Sequence, residues 1–233
     1  MLPPWTPKQT QQHKKAAALL TNIAHQTFAF AKEGITEYEL QHFVLNKYQK
    51  YRLVSDKDPP IVAFGRNTNK PHHFPKKTSL RLRREMPVLI DLWAHLREPA
   101  APFADITWMG YCGKIPSEFQ KNFSRVLAAR DACVRAMRKG AYADQIDQAA
   151  REELGNLARH FTHSTGHPLG TTSPHGNCSG LRHSNHTKIR RRIAYSIEPG
   201  IYLQEYGIRT EINALLDKKL IITTPVQRRL IHI

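Results

Sequence analysis

Apolar side chains in the first fifty residues recur at helical spacing. Ala16, Leu19, Leu20, Ile23, Thr27 and Phe30 share one side of a helix predicted over 11–32, which Gly34 ends. Thr36 followed by Glu39 forms a capping box that opens a second helix running to about Tyr51. Pro59-Pro60 breaks the chain, and the apolar run 61–64 reads as a short buried strand. The polar, proline- and histidine-bearing stretch 65–77 reads as loop. Segments 88–96 and 105–111 predict two partnered strands across a proline-rich connection. Pro116 opens a long helix with Phe119, Phe123, Val126, Leu127, Cys133, Val134 and Met137 on one face, and Gly140 ends it. A shorter helix is expected over 144–155. The final third is strand-like over 193–197, 200–203, 208–216 and 220–224. Residues 1–10 are proline-rich and read as irregular, leaving 11–233 as a single domain. Two helices and strands, then two more helices and strands, predict an α+β fold in two similar halves.

At 233 residues with 40% apolar side chains, the chain can bury a core without disulfide or metal staples. Thirty-five lysines and arginines against 19 acids give a net charge of +16. That excess permits nucleic acid or an acidic protein as partner and selects neither. The basic clusters at Lys76-Lys77, 81–84 and 190–192 are not interleaved with aromatics and read as solvated loops. No apolar run approaches 18 residues, so no membrane partner is expected. No basic-then-apolar leader opens the sequence, and the reducing cytoplasm is the expected compartment. Cys112, Cys133 and Cys178 are too few and too scattered for a disulfide scaffold or a zinc ribbon.

Four acids lie inside apolar strand segments: Asp91 in Leu-Ile-Asp-Leu-Trp, Asp105 in Ala-Asp-Ile-Thr-Trp, Glu198 in Ser-Ile-Glu-Pro-Gly and Glu211 in Arg-Thr-Glu-Ile. Each could face water from the polar side of its strand. Four together, if they converge, repel one another strongly, and divalent cations are the usual remedy. His163 and His167 are four apart, but Gly166 and Pro168 argue against a helix, so the two histidines do different jobs. An imidazole beside carboxylates suits manganese, cobalt, iron or zinc better than calcium or magnesium. A competing set, His175, Cys178, His183 and His186, has spacing permissive for a structural zinc. Phosphate-loop, dinucleotide, serine-elbow and HExxH patterns are absent.

In order, Pro-Pro-Ile-Val-Ala-Phe-Gly (59–65), Asn-Lys-Pro-His-His-Phe-Pro (69–75), Leu-Ile-Asp-Leu-Trp (89–93), Ala-Asp-Ile-Thr-Trp (104–108), His-Ser-Thr-Gly-His (163–167), Ser-Ile-Glu-Pro-Gly-Ile-Tyr (196–202) and Ile-Arg-Thr-Glu-Ile-Asn (208–213) resemble the pita-bread metallopeptidases. The resemblance covers nearly the whole chain and is strongest to the aminopeptidase P and Xaa-Pro dipeptidase (prolidase) branch. It implies a pita-bread fold, with pseudo-two-fold halves around a curved antiparallel sheet, and 11–233 as the catalytic domain. It implies two divalent ions, manganese first, with cobalt, zinc or iron as alternatives. Their ligands would be Asp91, Asp105, His167, Glu198 and Glu211. Asp91 would chelate one ion, Asp105 and Glu211 would bridge both, and His167 and Glu198 would complete the second.

By the same resemblance the ions share a hydroxide nucleophile that Glu198 helps to deprotonate. His163 would bond the developing oxyanion, and His72 would sit near the substrate and leaving group. His175 matches a substrate-contacting histidine with one residue of offset, and Arg209 would orient Glu211. The implied reaction is hydrolysis of the N-terminal bond of a peptide or dipeptide, with an Xaa-Pro preference and a possible homodimer.

Three features depart from the family pattern. Asp91 and Asp105 are 14 residues apart, which an outward loop over 97–103 would absorb. The chain starts near the beginning of the catalytic domain. The stretch 182–192 is strongly basic where relatives are acidic. Those basic residues support the rival expectation, a non-catalytic pita-bread protein that binds nucleic acid or an acidic protein.

Overall fold

The computed structural model describes residues 2–176 and 178–233. The chain forms α1 (Pro7–Phe30), α2 (Glu37–Tyr51), β1 (Leu53–Val54), β2 (Ile61–Phe64), β3 (Met86–Leu96), β4 (Ala104–Cys112), α3 (Ser117–Ala136) and α4 (Ala143–Leu154). It continues with β5 (Ile193–Ile197), β6 (Gly200–Tyr202), β7 (Gly207–Arg209), β8 (Ile212–Leu216), β9 (Leu220–Ile222) and β10 (Ile231–His232). Short 3-10 turns occupy Gly65–Asn69 and Gly155–His160.

The helices follow their caps. Thr36 and Glu39 form the expected reciprocal box at the start of α2. The first helix begins at Pro7 rather than near residue 11, because Thr6 and Gln9 form a second such box and Pro7 occupies the first helical turn. Residues 7–10 are therefore helical, correcting the irregular reading of 1–10. The long helix after Pro116 ends at Ala136, short of Gly140.

The antiparallel pair β3 and β4 organises the molecule. It runs from Met86 opposite Cys112 to Ala94 opposite Ala104, so the connection 97–103 lies outside the ladder. Strand alternation divides its two faces. Val88, Ile90, Leu92, Ile106 and Trp108 pack with α1 and α2 in one core. Leu89, Trp93, Phe103, Met109 and Tyr111 pack with α3, α4 and the later strands in another. Asp91, Asp105 and Thr107 belong by register to this second face.

The second half does not simply extend the sheet. β5, β8 and β9 form a separate three-stranded sheet, and β6 pairs with β7. The expected strand over 208–216 is broken, because β7 bonds β6 whereas β8 bonds β5. At the break, the Glu211 N–H donates to the Thr107 carbonyl at 3.0 Å. Beside it Asn213 receives the Asp105 N–H at 2.9 Å and donates to the Asp105 carbonyl at 2.7 Å. Gln227 clamps both backbone groups of Met109, at 2.9 and 2.6 Å. Side-chain amides thus stand in for strand partners along β4 where the second half meets it. One departure from the all-antiparallel expectation is β10, which pairs parallel to β4. No helix of the described residues is long and apolar enough to cross a membrane.

His13 of α1 spans the same junction, bonding the Phe103 carbonyl at 2.8 Å and the Thr223 hydroxyl at 2.7 Å. Burial lowers its pKa from 6.5 to about 4. As pH falls, the unfolded chain protonates this histidine first, so its stabilisation is complete above pH 6.5 and lost toward pH 4. The shift corresponds to about 3 kcal/mol. His13→Gln is expected to remove about 3 kcal/mol of the acid-induced stability loss between those pH values, read by urea unfolding at each. An unchanged acid loss would show that His13 does not carry it.

Candidate metal centre

Four elements deliver acids to one cavity of about 670 Å³. Asp91 stands on β3 opposite Thr107, and Asp105 stands on β4 opposite Trp93. Glu211 occupies the break between β7 and β8, with Oε2 accepting from the Thr107 hydroxyl at 2.8 Å. Glu198 follows β5, its N–H bonded to the Thr165 carbonyl at 2.7 Å and Oε1 to the Ser196 hydroxyl at 3.1 Å.

His167 reaches the same floor because its extended segment is laced to β5. Its N–H donates to the Ser196 hydroxyl at 3.0 Å, and its carbonyl accepts the Ser196 N–H at 2.8 Å. A Cβ on Gly166 would lie 2.0 Å from the Ser196 carbonyl oxygen, so only glycine allows this approach. His167 Nδ1 faces the Pro168 carbonyl at 3.3 Å, which leaves Nε2 free, 3.3 Å from Glu198 Oε1 and 3.7 Å from Asp105 Oδ2.

One ligand atom each from Asp105, His167 and Glu211 lies within 4.8 Å of the others, all from buried residues. Glu211 Oε1 and Asp91 Oδ1 are buried without any hydrogen-bond partner. Unpaired buried carboxylate oxygens are costly, and a cation is the group that this donor set lacks. The set of oxygens with one imidazole nitrogen fits a divalent transition ion.

The electrostatics agree. Burial, reinforced by neighbouring acids, drives the Asp105 and Glu211 carboxyls well above the usual range. Burial also pushes Glu198 up to about 7 and His167 down to about 4. Among the described residues, the one cation on the floor is Arg209, 3% exposed. It donates through Nη2 to Asp91 Oδ2, through Nε to the Thr107 hydroxyl at 3.3 Å and through Nη1 to the Tyr202 hydroxyl at 2.9 Å.

Residues 11–218 match Metallopeptidase family M24. The chain belongs to that family. An uncharacterized peptidase of Staphylococcus epidermidis is 28% identical over 206 residues, covering 87% of this chain and 57% of its own length. The prolidase of Thermococcus sibiricus superimposes with a TM-score of 0.88 at 28% identity, over 98% of this chain and 62% of that one. Dipeptidase PepE of Mycobacterium ulcerans gives 0.88 at 25% identity, over 97% and 60%. This M24 chain has the pita-bread fold of its structural neighbours, and it spans 57% of the length of the curated relative it matches.

Asp91, Asp105, His167, Glu198, Glu211, His72, His175 and Arg209 all line the cavity of the M24 chain. His163 does not. Its Nδ1 faces the Ser164 carbonyl at 2.8 Å and Nε2 meets the Tyr202 hydroxyl at 2.7 Å, so neither nitrogen is left for an oxyanion. Arg209 holds Asp91 directly and reaches Glu211 through Thr107, rather than orienting Glu211 itself. Asp91 keeps one free oxygen instead of two.

The competing zinc set is not brought together. His186 pairs with Asp144 at 2.7 Å, while the His175 ring lies 4.4 Å from that of His167. Sequence reasoning missed Thr107 and Tyr202. Thr107 could have been found two residues after Asp105 on the same strand face. Tyr202, which ends the Glu-Pro-Gly-Ile-Tyr run, carried no comparable signal.

The crowding is testable. Without metal, Asp105→Asn removes a repelling buried charge and should raise stability by about 1–2 kcal/mol. Manganese at a hundredfold excess over its dissociation constant should stabilise the wild type by about 2.7 kcal/mol and the variant far less. Thermal denaturation in chelator and in manganese reads both effects. An equal manganese gain in Asp105→Asn would exclude Asp105 as a ligand.

Proposed function

We propose that the chain is a dinuclear metal-dependent peptidase that removes the N-terminal residue from a peptide or dipeptide, with Xaa-Pro as the preferred bond. The convergence of Asp105, His167 and Glu211, with unpartnered carboxylate oxygens beside them, carries this reading. Asp91, Asp105, His167, Glu198 and Glu211 would hold the ions, with 11–233 as the catalytic unit. Two divalent ions bound there supply Lewis acidity, polarising a peptide carbonyl and acidifying a water. The likeness to a structural neighbour that is a prolidase supports the Xaa-Pro preference.

The chain's own residues supply the rest. Glu198, lining the cavity beside His167 Nε2, can take a proton at its carboxylate and return it to the leaving nitrogen. His72, exposed on the loop after β2, and His175 face the cavity as donors to substrate. His163 fixes the Tyr202 hydroxyl, which accepts from Arg209, so the chain His163, Tyr202, Arg209 and Asp91 keeps Asp91 in place. The rival reading, a binding protein using its basic surface, draws on the +16 charge.

Glu198→Gln keeps the shape of the site and removes the proton acceptor. It should lower kcat on an Xaa-Pro dipeptide by about a hundredfold or more while leaving the circular dichroism spectrum unchanged. Hydrolysis should require added manganese, cobalt or zinc. Full activity of the variant would reject the role of Glu198. A folded wild type that neither binds metal nor cleaves any peptide would favour the binding protein.

A further inference from the structure

The wall of the cavity nearest β2 carries Asp56, Lys57 and Asp58, with Trp93 and Phe74 among the other lining residues. Asp56 is fixed rather than loose. Its Oδ1 accepts from the Trp93 indole N–H at 2.8 Å and from the Asp58 N–H at 3.2 Å. That leaves Oδ2 for another donor. Among the described residues no lysine or arginine pairs with Asp56 or Asp58, in a chain that carries 35 of them.

Asp56 lines the same cavity as Asp105 and His175. The cavity calls for a ligand on separate grounds, because Glu211, 2% exposed, leaves Oε1 unpartnered at its floor. Two divalent ions with Arg209 would more than offset the four floor carboxylates, and neither Asp56 nor Asp58 is among the residues that would hold metal. The apolar lining residues Trp93, Ile61 and Phe74, of which Trp93 touches Asp56, suit an aliphatic stem that ends in a charge.

We propose that Asp56 and Asp58 bind the cationic side chain of a lysine or arginine at the first position of the peptide, making the enzyme selective for basic N-terminal residues. This rests on the peptidase reading of the cavity. It also reconciles a basic protein with a cationic substrate, because selection is local to an acidic wall.

The test compares Lys-Pro with norleucine-Pro, which keeps the stem and lacks the charge, on the manganese-loaded wild type and on Asp56→Asn/Asp58→Asn. Asparagine preserves the acceptor for Trp93. The wild type should favour Lys-Pro in kcat/KM by about tenfold or more, and the double variant should bring the ratio close to one. A ratio that survives the double substitution overturns the proposal. So does an equal fall for both dipeptides, which would mean that the acids read the α-ammonium. If the wild type cleaves no dipeptide, the peptidase reading fails separately. Calorimetric binding of lysine amide against norleucine amide to the same two proteins then decides the acidic wall by the same ratio.

Discussion

Four carboxylates and one guanidinium share a single buried floor, and this arrangement constrains the rest of the molecule. Asp91, Asp105, Glu198 and Glu211 come from four different segments, and Arg209 cannot neutralise them all. Protons or cations can make up the difference, and burial raises the pKa values of Asp105, Glu198 and Glu211 above the usual carboxylate range. A site in this condition binds a divalent ion strongly because the ion relieves repulsion that the fold has already imposed.

The fold imposes it through strand register and through side chains that act as backbone partners. The β3–β4 ladder puts Asp91 and Asp105 on one face two pairs apart. Glu211 arrives where the chain leaves one small sheet for another, and Thr107 ties that break to β4 through both its carbonyl and its hydroxyl. Glycine at 166 lets the His167 segment lie directly against β5. The helices on both outer faces contribute the apolar burial that holds these short strands in place.

Much of this was legible in the sequence. The α2 capping box, the β2 run, the β3 and β4 strands and the five ligand-type residues could each be read from local pattern or motif. Acids embedded in apolar runs signalled the centre because such positions are unfavourable without a partner. What escaped was long-range. The break at Thr210 and Glu211 depends on which strand each side pairs with, and nothing in Ile-Arg-Thr-Glu-Ile-Asn announces it. The orientation of His163 depends on Tyr202, 39 residues away. Nothing in the local pattern around Asp56 and Asp58 announces the wall they form, because it depends on the indole of Trp93, 37 residues away from Asp56.

The break between β7 and β8 has a mechanical meaning. Glu211 is at once a candidate ligand and the point where the second half is bonded to β4. An ion held there would have ligands on both halves, so parting the halves would also break its coordination. Its binding would then raise the free energy of local opening at the junction, although it makes no contact with the helices that bury the strands.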